Sequence, residues 1–370
     1  MKKLIFIIIS CLLATISFSQ IMPLTLEPDG GNKKASVSEQ IGIVKIAITY
    51  SRPGVRGREG KIWNTPVAHY GFADQGHGTS YAAPWRAGAN ENTTMSFSLP
   101  VTIEGNVLPA GTYGFFIALG ETESTLIFSK VNNSWGSFYY DSTQDALRVK
   151  VNNEELDESV EWLKYEFTEE TSSSAVIAMS WEKRRIPFKV EADVQKLQIE
   201  AFKSELRTTR PFYDFMAAAN YCIANNVELE QALDWMDRAI YFRIMGVKNF
   251  QTLGTKAAVL MKLNRMDEAK KIMGEAIPMG TVNEVHQYAR TLVNAKEAKE
   301  AFKIFKMNYD KFPNLYTTNI GMGRAYSAMS DYKKALGYIM AALPQAPDEG
   351  SKARTEAMIK KLEDGKDINL

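Results

Sequence analysis

Trp85-Arg86-Ala87-Gly88-Ala89-Asn90-Glu91, then Thr94-Met95-Ser96-Phe97-Ser98-Leu99, then Pro109-Ala110-Gly111-Thr112-Tyr113: within these residues the N-terminal half of the chain declares its fold. Met95, Phe97 and Leu99 alternate with Thr94, Ser96 and Ser98, the period-2 pattern of a strand with one buried face. Pro100 interrupts the run, Val101 and Ile103 resume it, and Glu104-Gly105-Asn106 forms a turn. Gly111 suits a turn with positive φ, and Tyr113 opens a second apolar run through Phe115, Phe116 and Ile117.

The pattern extends both ways. Upstream, Val44, Ile46, Ile48 and Tyr50 alternate with Lys45, Ala47 and Thr49. Downstream, residues 125–129, 147–151, 165–168 and 175–181 read as further strands, and Pro187-Phe188 closes the series. Many short strands at near-regular spacing predict an antiparallel β-sandwich, jelly-roll or immunoglobulin-like, or a barrel. Residues 72–84 read as an inserted loop of small and polar residues.

Two loops carry the polar groups worth weighing. Arg52, Arg56 and Arg58 leave the loop that begins at Ser51-Arg52-Pro53-Gly54. Their guanidinium forks match carboxylate, phosphate and sulfate, or they brace the loop through carbonyls. With Trp85, Arg86, Asn90 and Glu91 they form the candidate ligand-binding set: Arg52, Arg58, Trp85, Arg86, Asn90 and Glu91. Such a set offers cations, an aromatic platform and an amide to an anionic or carbohydrate ligand. The structural alternative is a plug in which Arg86 pairs with Glu91 and Trp85 fills the core. No catalytic residue, cofactor or metal is assigned. The chain lacks Gly-x-Ser-x-Gly and His-Glu-x-x-His, and His69 and His77 have no third ligand at zinc-like spacing.

Bulk properties narrow the class. A length of 370 residues allows two or three domains, and a formal charge of +1 argues against nucleic acid as a partner. Lys2-Lys3, an apolar run over residues 4–19 and Ser17-Phe18-Ser19 read as a signal peptide, residues 1–19, cleaved before Gln20. No transmembrane segment is expected, and export would leave the protein periplasmic or extracellular. Lipid anchoring through Cys11 is the lesser alternative. After cleavage Cys222 is the single cysteine, read as a small buried hydrophobe. Residues 20–37 read as an extended leader and 38–190 as the β-domain.

From Glu191 the period becomes helical. Residues 191–210 read as a linking helix with a stripe of Val194, Leu197, Ala201 and Phe202. Then Ala232, Ala269, Ala301 and Ala335 recur at spacings of 37, 32 and 34. Seven residues later stand Ala239, Ala276, Asn308 and Ala342, and twelve residues earlier Asn220, Ala257, Ala289 and Gly323. Residues 211–347 therefore resemble tetratricopeptide repeats, helix pairs that stack through small residues. Residues 348–370 read as a capping helix and tail.

The first half also carries a resemblance. Ser51-Arg52-Pro53, Gly57-Arg58, Tyr70-Gly71, the Trp85–Glu91 heptad, Pro109-Ala110-Gly111-Thr112-Tyr113, Trp135-Gly136, Asp145 with Leu147-Arg148-Val149, Trp181-Glu182 and Pro187-Phe188 resemble a secreted family catalogued as domain of unknown function 2911. His69 stands where that family has proline, and the segment between Gly71 and Trp85 is longer. The resemblance implies a secreted β-domain, often followed by helical repeats, and no activity. The expected function is a binding or adaptor protein with a protein or peptide partner in the repeats. A hydrolase of carbohydrate or peptide using Glu91, and a purely structural envelope protein, are the alternatives.

Overall fold

The computed structural model describes residues 31–370. The proposed signal peptide, Cys11 and most of the leader lie outside the described residues. The chain divides into two compact units, one ending at Gln198 and the other beginning at Ile199.

Among the described residues, the first unit holds ten strands in two antiparallel sheets. They are β1 (Lys33–Ile41), β2 (Val44–Arg52), β3 (Thr93–Phe97), β4 (Val101–Ile103), β5 (Asn106–Leu108), β6 (Gly111–Ala118), β7 (Glu123–Ser129), β8 (Asp145–Asn152), β9 (Glu154–Thr168) and β10 (Ser174–Glu191). One sheet is six-stranded in the order β1-β2-β3-β6-β7-β8, and the other four-stranded, β5-β4-β10-β9. Ile46, Met95, Phe115 and Phe128 of the first share one core with Ile103, Met179, Ile186 and Phe188 of the second. The β-sandwich reading holds.

The opening stretch builds both layers. β3 belongs to one sheet and β4 to the other, so the chain changes sheets at Pro100, where no ladder amide is needed. Glu104 and Gly105 have φ of 46° and 78°, the left-handed pair of a type I′ hairpin joining β4 to β5. Tyr113 closes the motif, its hydroxyl donating to the Pro109 carbonyl at 2.9 Å.

The strands also run beyond their expected limits. β1 begins at Lys33, inside the span expected as leader, and Lys33 pairs with Arg52. β10 continues through Pro187 to Glu191. Its pairing with β9 reaches Arg185, and its pairing with β4 begins at Val190, so proline falls between the two ladders.

The second unit is helical. After α1 (Val194–Glu205) come the pairs α2 (Phe212–Asn225) and α3 (Leu229–Tyr241), α4 (Phe250–Lys262) and α5 (Met266–Ala276), α6 (Val282–Asn294) and α7 (Ala298–Lys311), α8 (Tyr316–Ala328) and α9 (Tyr332–Ala342), then α10 (Glu349–Glu363). Ala232, Ala269, Ala301 and Ala335 are all buried, as are Ala239, Ala276 and Ala342. Asn308, the exception among them, is buried too and donates to the Val282 carbonyl at 2.8 Å. Gly323 meets Ile339 so closely that an added Cβ would lie 2.3 Å from Cδ1. In the first pair Asn220 is exposed, and Ala218, Ala219 and Cys222 take the buried face. First helices of neighbouring pairs also pack together, α2 on α4 and α6 on α8. These are tetratricopeptide-like helix pairs. Among the described residues, no helix is long and apolar enough to cross a membrane.

Candidate functional site

The loop between β2 and β3 is long, and isolated bridges pin it. Gly54 pairs with Trp162, Tyr70 with Leu119, Ala73 with Ala83, Trp85 with Ile117 and Glu91 with Trp135. The expected inserted loop is thereby closed at its base by the Ala73–Ala83 pair.

Trp85 does not offer a platform. It is 3% exposed, stacked on Trp181 with centroids 6.1 Å apart and edge-on to Trp63. Its amide and carbonyl both pair with Ile117. An indole fixed by its backbone and by two neighbouring tryptophans belongs to the core.

Arg86 leaves that core sideways. Its Nη1 donates to the Asn90 carbonyl at 3.0 Å, and its guanidinium lies over the Phe138 ring at 5.0 Å. Gly136 approaches from another side at φ +66°, where a Cβ would stand 2.7 Å from the guanidinium carbon. Burial lowers the Arg86 pKa. Ala87 and Asn90 adopt left-handed φ of 52° and 59°, an unfavourable conformation for alanine. Thr93 Oγ1 and the Tyr165 hydroxyl both donate to the Ala87 carbonyl, at 2.9 and 2.8 Å, and hold the strained turn.

Glu91 turns away from the arginines. Lys34 and Ser51 are cross-strand partners on β1 and β2, so both side chains reach one place. Lys34 Nζ lies 3.1 Å from Glu91 Oε1, and Ser51 Oγ donates to Oε2 at 3.2 Å. Partial burial pushes the Glu91 pKa up, but its own amide, Lys34 and Ser51 outweigh that and hold it below the usual value. The anticipated Arg86–Glu91 ion pair is absent among the described residues because each partner is engaged elsewhere.

The six candidate residues therefore separate. Arg58, Arg86 and Asn90 line one cleft of about 500 Å³, with Arg56, Asn32 and Trp181. Glu91 lines another, of about 340 Å³, with Lys34 and Ser51. Arg52 serves the framework, its Nε donating to the Leu163 carbonyl at 2.8 Å. Arg58 braces its own loop through Nε to Val55 O at 3.0 Å and Nη2 to Gly54 O at 2.7 Å. A hydrolase built on Glu91 facing these arginines lacks its constellation. Lys34, Asn32, Gly136 and Phe138 were missed as partners. Trp135-Gly136 was the visible trace of the contact over Arg86.

Other polar motifs engage neighbouring side chains, with His69 Nδ1 and Asp145 Oδ1 left without a hydrogen-bond partner. Tyr140 donates to Asp145 Oδ2 at 2.6 Å, and Arg148 Nε donates to the same oxygen at 2.6 Å. Burial, then Asp145, raises the Tyr140 pKa. His69 contacts Gln75 at 3.3 Å, and His77 lies edge-on to Phe138. Among the described residues no three metal-capable side chains cluster. Cys222 is buried, which pushes its thiol pKa up to about 11 and fits the packing role.

The helical unit carries a second kind of site. A cleft of about 600 Å³ runs over the first helices of three successive pairs. Asn220 comes from α2, Gly254 and Ala258 from α4, and Asn283, Gln287 and Thr291 from α6. On α8 the chain's own C-terminal residues are bound. Ser327 Oγ donates to Asp367 at 2.6 Å and accepts from the Ile368 amide at 3.0 Å. Arg324 Nη1 donates to the Ile368 carbonyl at 3.4 Å, and Asn369 Nδ2 donates to the Arg324 carbonyl at 3.1 Å.

Fold and sites together define a two-part protein, an antiparallel β-sandwich followed by tetratricopeptide-like helix pairs. Residues 32–190 match the family described as "Protein of unknown function (DUF2911)". No curated protein matches the chain. Among solved structures, it is similar to YrrB, titled a TPR protein with an unusual peptide-binding site. The identity is 16% over 46% of this chain and 86% of that one, with a TM-score of 0.28. It is also similar to MamA of AMB-1, at 12% identity over 41% of this chain and 90% of that one, with a TM-score of 0.27.

Proposed function

We propose that the protein is a binding protein whose helical unit holds an extended peptide or protein segment across the first helices of its pairs. The observation that carries this reading is the tail on α8. There, the chain's own Ile368, in a turn, is gripped through its backbone amide and carbonyl by Ser327 and Arg324. Backbone contacts hold a peptide without demanding one sequence, and polar and small side chains at the adjoining cleft can add the specificity. Gly254 and Ala258 leave room for a backbone to approach.

The test is selection of peptides from a displayed library on the full chain, followed by binding to Ala258→Arg. Loss of binding with unchanged thermal stability supports the groove. Equal binding by the variant sinks it. The apolar run after Lys2-Lys3 supports export across the inner membrane, placing this binding in the periplasm or outside the cell. N-terminal sequencing of the mature protein is expected to begin at Gln20.

A further inference from the structure

The cleft beside the Trp85–Glu91 loop is electrically one-sided. Its lining includes Arg56, Arg58 and Arg86 and, among the described residues, no carboxylate. The chain as a whole is nearly neutral at +1, so this is a local concentration and not a general property. Glu161 stands nearby, its Oε1 accepting from the Arg56 backbone amide at 3.1 Å. Arg58 and Arg86 have no ion-pair partner among the described residues. Both are anchored on neutral carbonyls, which fix the planes of the guanidinium groups without cancelling their charge.

Holding a cation this way is costly. Arg86 is drawn partly out of water between Gly136 and Phe138, and a neutral carbonyl and a ring face compensate less than an anion would. The loop that places it carries strain at Ala87. Its neighbour in the lining, Trp181, is fully buried with its indole Nε1 unpartnered. A guanidinium held by neutral partners at the wall of an open cleft is a charge that a bound anion would compensate.

We propose that this cleft binds a small oxyanion, the carboxylate or phosphate group of an organic metabolite, clamped between the guanidinium groups of Arg58 and Arg86. Planar forks fit either group through paired N–H donors. A volume of about 500 Å³ admits a small organic body beyond the anion itself. Trp85 and Trp181 are both buried, so neither offers a face for stacking a sugar ring. The site is independent of the helical groove.

The experiment is calorimetric titration of the full chain with succinate and with inorganic phosphate, against chloride at matched ionic strength. Binding of either probe above the chloride control is expected, and whichever binds names the source chemistry. Arg86→Met and Arg58→Gln are each expected to weaken it by about 10-fold or more, as loss of a charge-assisted hydrogen bond does. Lys34→Ala, in the other cleft, is expected to leave it unchanged. Binding of neither probe, or equal binding by Arg58→Gln, overturns the proposal. Should Arg86→Met fail to fold, Arg58→Gln decides alone.

Discussion

Lys34 Nζ stands 3.1 Å from Glu91 Oε1, and that contact, not one with Arg86, accounts for the carboxylate. Its consequence is a separation of charge. The carboxylate is neutralised in one cleft, and the arginines keep their charge in another. Both members of the pair are well exposed, so the pair itself adds little stability.

The first prediction concerns that pair. Glu91 has a pKa held below the ordinary value, so the stabilisation it gives is present above the unfolded pKa and is lost as pH falls through the folded one. Lys34→Ala removes one of the causes. An NMR titration of Glu91 should show its pKa rising in the variant, with stability changed by no more than about 1 kcal/mol. An unmoved pKa would show that Lys34 does not hold the carboxylate.

Two helical glycines should respond oppositely to alanine. At Gly323 a Cβ would meet Ile339 Cδ1 at 2.3 Å, and at Gly254 it would meet nothing within 4 Å. Gly323→Ala forces the two helices apart and should destabilise by about 1–3 kcal/mol. Gly254→Ala should instead gain about 0.5–1 kcal/mol, the helix preference of alanine. Urea denaturation of both variants checks this, and a loss at Gly254 would mean that the open face is filled.

Much of this architecture was legible because it rests on local periodicity. Met95 and Phe97 alternate with polar residues and face the core, and the buried alanines at Ala232, Ala269, Ala301 and Ala335 recur as one repeat demands. What was illegible is non-local. Lys34 reaches Glu91 across 57 residues, and nothing near either one announces the other. The first half of β9 escaped for a different reason. It is an edge strand whose Glu154, Glu155 and Glu158 are exposed, and the charge that blocks edge pairing also erases the alternation. The clefts divided as they did because Ala87 and Asn90 take left-handed φ, which residue type alone does not foretell for alanine.

The tail gives a third prediction. Ser327 Oγ serves both Asp367 and the Ile368 amide, and Ile368 is 6% exposed. Ser327→Ala leaves that amide without its acceptor, a loss of about 1–3 kcal/mol locally. Amide hydrogen exchange at Ile368 should quicken correspondingly, while exchange in α4 stays unchanged. Equal protection in both proteins would mean that the tail is held by apolar packing alone.

A fourth prediction is an acid limb to stability. His286 on α6 is buried against Phe305, with Nδ1 unpartnered. Burial first, then the charges of Arg324 and Arg290, lower its pKa to about 4. The unfolded imidazole titrates near ~6.5. Above that value neither state is protonated and the stability is complete. As pH falls towards 4 the unfolded chain takes up the proton first, and the folded state loses on the order of 3 kcal/mol. Below the folded pKa the loss is complete. His286→Asn removes this term, so the stability difference between the variant and the parent should shift in favour of the variant between pH 7 and pH 4. Denaturant titrations at those two values test it. A difference independent of pH would show that His286 keeps an ordinary pKa in the fold and that the two arginines do not reach it.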